Sequence, residues 1–289
     1  MHRLFQAGQY SYYIDLKLKQ LASHGTNLTP GERGTDFYFM GIAAFASHDY
    51  QTAAFFFDAA ASEDLKLPNP DRWPAHLFMY LNDRKTEQAA RDIVQMIVKK
   101  LRRTMKNYNK RDDAVPLTVP MVRKHFLRPQ MKHAKTHHRT LVTTFISFLA
   151  EWDYRSRMIG LHDAGSKEPF FTHLFRGCLL FESLLKANEA KPPAKHTLGK
   201  MLQHDFAAEF CLPSKFDASD TNFGKHVRAI MPEQPIPVAT ECTASARNAL
   251  GHNLIWAAQP LDQKAYDLLA HNIACCCLHA IAKLYARLP

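Results

Sequence analysis

The chain has 289 residues, 46% hydrophobic and 22% charged, which excludes a disordered polypeptide and leaves room for one large or two ordinary domains. Its eleven glycines and the absence of alternating residues around Asn-Gly or Asp-Gly turns exclude a hairpin-built β fold, so an all-α protein is expected. The net charge of +10 points to polyanionic partners.

No signal-length apolar stretch follows Met1, and the runs 37–46 and 274–282 are too short to span a bilayer. A cytoplasmic location without membrane contact is expected. Cys275, Cys276 and Cys277 are adjacent, which suits small core residues better than a disulfide framework.

The first predicted helix covers 10–22. After a loop over 26–35, two helices follow at about 37–47 and 50–62. Small residues at Gly41, Ala44, Ala53 and Ala60 let them approach, with Phe37, Met40 and Phe57 filling the space between. This pattern resembles a tetratricopeptide repeat (TPR). One good repeat is visible and a solenoid needs about three, so the region is TPR-like, with 73–82 and 86–105 as the next pair. The resemblance implies a surface for a regulatory protein or ligand within residues 1–108, although such hairpins also serve only as braces.

Between Lys99 and Arg139 lie thirteen Lys or Arg and two acids, a net +11, while the rest of the chain is near neutral. Such a segment attracts RNA or DNA; a solvated linker is the plainer alternative. Pro116, Pro120 and Pro129 mark a boundary. The expected division is a TPR-like domain 1–108, a basic linker 109–139 and a helical bundle 140–289. The bundle opens with a long helix over 140–161, with apolar residues at three- and four-residue steps from Leu141 to Ile159. Five helices follow at 170–188, 198–210 (capped by Thr197), 219–230, from 239 onward, and 262–287.

The fourth of these carries Arg247-Asn248-Ala249-Leu250-Gly251-His252. A guanidinium binds phosphate oxygens in pairs and stays charged, and an imidazole exchanges protons near neutrality. RNA cleaves itself when its 2′-OH attacks the adjacent phosphate, so these groups suffice without a metal. The Arg-Asn-x-x-x-His string, late in a bundle of this length, resembles the HEPN ribonucleases over about 170–288. The fold implied is TPR-like hairpins followed by a HEPN-type four- or five-helix bundle.

The resemblance implies a metal-independent endoribonuclease, a defence (antiviral) or toxin effector, that leaves a 2′,3′-cyclic phosphate and a 5′-OH. Arg247 would bind the scissile phosphate, His252 would move protons, and Asn248 would orient His252 or hold a phosphate oxygen. A homodimer would join two copies into one composite site with RNA as substrate. Glu182 is assigned either to hold Arg247 or to form an i,i+4 pair with Lys186. Gly251 would ease a close approach or pack helices. No cofactor and no metal is expected, since His133-x-x-x-His137 and His271-x-x-x-Cys275-x-x-x-His279 lack a completing ligand set. A non-catalytic scaffold or adaptor, binding RNA or a protein, stays open beside the enzyme.

Overall fold

The computed structural model describes residues 2–24, 27–133, 135–161, 165–252 and 261–286; the side chains of His2 and His252 lie outside that description. All regular structure among these residues is helical. The first helices are α1 (His2–Gln6), α2 (Tyr10–His24), α3 (Pro30–Ala46), α4 (Tyr50–Asp64), α5 (Pro74–Met79) and α6 (Gln88–Tyr108). Next come α7 (Val119–Val122), α8 (Arg128–Lys132), α9 (His137–Leu161) and α10 (Glu168–Lys186). The last are α11 (Leu198–Lys200), α12 (Phe223–Ala229), α13 (Ile236–His252) and α14 (Gln263–Ala280).

The chain divides into two compact units, 1–99 with 127–151 and 100–126 with 152–289. The limits fall inside α6 and α9, not at 108/109 and 139/140 as expected. The expected linker 109–139 is folded and buries Leu117, Val122, Phe126, Leu127 and Met131. Its prolines break less than expected. Pro120 stands in the first turn of α7, where a missing N–H costs nothing, and Pro129 follows a π-helical turn (Arg123–Leu127) within the helical stretch 119–132. Its charge is also partly consumed. Arg111 and Arg139 are buried, Lys132 pairs with Asp71, and Lys110 pairs with Glu233.

In the first unit, α3 starts seven residues before the expected position. Thr29 accepts the Glu32 N–H while the Glu32 carboxylate accepts the Thr29 N–H, with Pro30 following the cap. This reciprocal cap outweighs the poor helix propensity of Gly31 and Gly34. Asp49 caps α4 through the Thr52 N–H at 3.1 Å. A Cβ on Gly41 would stand 2.9 Å from the Phe57 ring, so this glycine sets the α3–α4 approach. Phe57 stacks on Phe78 of α5 with centroids 3.8 Å apart. Arg139 of α9 donates through Nε to Asp58 of α4 at 3.0 Å.

The second unit is built around α14. Every residue from Leu269 to Ala282 is buried, including Cys275, Cys276 and Cys277. Three consecutive buried positions step about 100° each around a helix, so neighbours enclose α14 on all sides. The continuous helical stretch Gln263–Tyr285 is 23 residues, long and apolar enough to cross a membrane, and its 18-residue window of mean hydropathy 1.3 is 89% buried inside the fold. It exceeds the short apolar run 274–282 expected from sequence.

Polar groups pin this unit. Asp267 accepts from Trp152 Nε1 and Ser156 Oγ, each at 2.8 Å. His279 donates through Nε2 to the Glu209 carbonyl at 2.8 Å, which leaves Nδ1 to accept from the Tyr108 hydroxyl at 3.1 Å. Helix α13 begins at Ile236, three residues before the expected start. Its Ile236 N–H is capped by Asp113 from the α6–α7 loop, and Pro237 fits the first turn. Two expected helices are shorter than predicted. Leu198 onward is helical only to Asp205, and 220–229 is a 3₁₀ turn leading into α12. Thr197 makes no side-chain capping bond.

Candidate active site

Glu182 on α10 and Arg247 on α13 are 65 residues apart in sequence and meet in the second unit. Arg247 Nε donates to Glu182 Oε2 at 2.7 Å, and Lys186 Nζ donates to Glu182 Oε1 at 2.6 Å. Both assignments weighed for Glu182 are therefore present geometrically, one on each carboxylate oxygen. Glu182 is only 3% exposed. A carboxylate at that depth needs charged partners, and two cations supply them.

The arrangement constrains what Arg247 can do. A guanidinium offers five N–H donors along its edges, and Glu182 occupies Nε. Arg247 Nη1 lies 3.8 Å, and the Phe175 ring 3.5 Å, from where a Cβ on Gly251 would stand. The side chain keeps 29% of its surface exposed. Its terminal nitrogens are thus held at a partly open spot beside an aromatic ring and a residue without a side chain. Phe175 and Glu182 stand seven residues apart on α10, two turns along one face. Phe175 was absent from the sequence-derived set; its i,i+7 relation to Glu182 was the available signal.

Cys178 lies between them on α10, fully buried, its thiol pushed well up by burial and kept protonated. It packs the site and offers no nucleophile. Gly251 is exposed, and a Cβ there would meet its neighbours at 3.5 Å or more, ordinary contact. Packing between helices does not demand a glycine at this place.

Asn248 is placed differently from the expectation that it orients His252 or holds phosphate. Its Nδ2 donates to the Ala218 carbonyl at 2.7 Å, tying α13 to the loop before α12. That partner is a backbone atom, so no residue type signals it. His252 ends α13, and its side chain lies outside the described residues.

The two ligand spacings weighed from sequence lie in different units. His133 stacks on His138, with centroids 3.6 Å apart. His271 Nε2 and Cys275 Sγ stand 3.5 Å apart, but His279 has both ring nitrogens bonded elsewhere. Burial pushes the Cys275 thiol up to about 12, against the thiolate a metal would need.

On the second unit, Arg102, Arg103, Lys106 and Lys124 are exposed. Comparison of the chain with protein-family models, curated proteins and solved structures finds no match.

Proposed function

We propose that the second unit is a metal-independent endoribonuclease of HEPN type, acting as a homodimer on RNA. The observation that carries the proposal is the Glu182–Arg247 pair. It fixes a guanidinium one turn before His252 on the same helix, with its terminal nitrogens beside Gly251. In this reading the nitrogens not used by Glu182 bind the scissile phosphate and stabilise the extra charge on phosphorus. His252 removes the 2′-OH proton or protonates the leaving 5′-oxygen. Two copies across a two-fold axis supply both proton-transfer roles.

Glu182 is a positioning residue that orients Arg247, and Asn248 braces the 213–219 loop against α13. The exposed cations of the second unit track the RNA backbone. The first unit regulates the nuclease, and a defence or toxin role follows from the family resemblance alone.

The test is cleavage of end-labelled RNA in EDTA by the wild type, His252→Ala and Arg247→Ala proteins. Cutting by the wild type only, with cyclic-phosphate ends, is the expected result. Equal cutting by all three means contamination or a different site and overturns the reading; no cutting by any, with RNA still bound, favours a scaffold.

A further inference from the structure

Within the first unit, a cavity of about 240 Å³ opens between α3, α4, α5 and the start of α6. Its wall includes Gly34 and Tyr38 of α3, Asp64 of α4, Trp73 at the entry to α5, and Glu87 just before α6. Two acids and no base line it. Asp64 is only 4% exposed, unusual for a carboxylate. Its Oδ2 contacts His76 Nδ1 at 3.5 Å, the outer limit of a hydrogen bond. Its Oδ1 stands 3.2 Å from where a Cβ on Gly34 would be, so the missing side chain leaves this oxygen uncovered on the cavity side.

A second, independent observation concerns Tyr38, which lines the same cavity. The Tyr38 hydroxyl is buried with no hydrogen-bond partner, on a residue 2% exposed. The carboxylates of Glu87 and Asp64 both act on it and, after burial, push its pKa up, so it stays a neutral phenol facing negative charge. A buried hydroxyl without a partner costs about 1–3 kcal/mol, a penalty that a donor placed in the cavity would remove.

We propose that this cavity binds a primary ammonium group, with Asp64 Oδ1, the Tyr38 hydroxyl and Glu87 as acceptors and the Trp73 ring over the alkyl chain. Three separated acceptors match the three donors of an ammonium, whereas a guanidinium fork wants both oxygens of one carboxylate, and His76 already occupies Oδ2. Trp73 adds cation–π attraction and apolar cover. The volume holds roughly eight waters or one side chain and is smaller than an ordinary drug-sized site.

An open groove of about 730 Å³ between α2 and α3 shares Thr35 and Trp73 with the cavity. Through this continuity, a chain lying in the groove can send a side chain inward. The ammonium therefore belongs either to a lysine of a polypeptide or to a free alkyl diamine. The inference concerns the first unit alone and does not rest on the nuclease reading.

The test is calorimetric titration of the full chain at low salt with four probes. They are Nα-acetyl-lysine amide, its uncharged counterpart Nα-acetyl-norleucine amide, 1,5-diaminopentane, and a blocked Gly-Gly-Lys-Gly-Gly peptide. The expected result is saturable binding of the ammonium probes and binding of the norleucine compound about 10- to 100-fold weaker, as expected for hydrogen bonds to charged groups. Tighter binding of the peptide than of the free lysine amide assigns the groove to a polypeptide; tighter binding of the diamine assigns the site to a free amine.

Asp64→Asn should abolish binding. Tyr38→Phe keeps the ring and removes only the oxygen, so it serves as a second variant if Asp64→Asn does not fold, and it should weaken binding several-fold. Equal affinity for the lysine and norleucine compounds, no saturation by any ammonium probe at millimolar concentration, or unchanged binding by folded Asp64→Asn or Tyr38→Phe would overturn the proposal.

Discussion

Acidification should unfold the second unit through His271 and His279, and the size of the effect follows from their burial. Both imidazoles are pushed down to about 4. Burial is the main cause for each; the Arg111 and Lys100 charges add to it for His271, and for His279 Lys283 adds to it while the bond to the Glu209 carbonyl opposes it. Both rings are therefore neutral when folded at neutral pH, and the unfolded chain takes up their protons near 6.5. Because the unfolded state binds more protons between pH 6.5 and 4, stability rises with pH across that window. It is fully present above 6.5 and is lost as pH falls toward 4.

Going from pH 7.5 to 5 removes about 2 kcal/mol per imidazole, hence about 4 kcal/mol for the pair. That is a large part of an ordinary domain's stability. The assay is urea unfolding at both pH values, followed by tryptophan fluorescence on a Trp73→Phe background, which leaves the signal to the second unit. His279→Gln, which retains a donor for the Glu209 carbonyl, should lose about 2 kcal/mol less than the parent over the same interval. His271→Gln should behave likewise. If both variants lose as much as the parent, the two rings are not the neutral, buried groups inferred here.

Further predictions concern packing and the candidate site. Gly41→Ala should destabilise the first unit by about 1–3 kcal/mol despite better helix propensity, because Phe57 is held against Phe78 and cannot yield; an unchanged melting temperature would count against this packing. Asn248→Ala should cost about 0.5–1.5 kcal/mol and speed amide exchange over 213–219, since the tie to Ala218 is lost. Unaltered exchange there would show that the bond restrains nothing. If RNA cleavage is established, Glu182→Gln should lower kcat more than it raises KM, while Lys186→Ala leaves kcat near wild type, because Arg247 keeps a charged carboxylate partner only in the second variant. Equal effects of the two variants would reduce Glu182 to a stabilising charge.

The helical character was legible because it is local. Periodic apolar residues, few glycines and the Thr29 and Asp49 side chains belong to single segments. Helix α3 starts inside the expected loop 26–35, although its signal, Thr29-Pro30-Gly31-Glu32, stands in the sequence. The apolar run Ala274–Leu278 of α14 likewise carried its own burial, as five consecutive apolar residues leave no face for water.

Partnership was legible only in part. Glu182 could be assigned to Lys186 from spacing and to Arg247 through the family resemblance, and each takes one of its oxygens because α10 and α13 pack together. The cap on Ile236 comes from Asp113, the partner of Asn248 is the backbone of Ala218, and Tyr38 and Asp64 share a cavity across two helices. Sequence alone determined which segments coil and which faces must be buried, because backbone sterics and hydrophobic periodicity act over a few residues. Tertiary structure alone decided where the two units divide, which charges remain exposed, and which side chain answers which. Those depend on contacts between residues tens of positions apart, for which one chain carries no periodic signal.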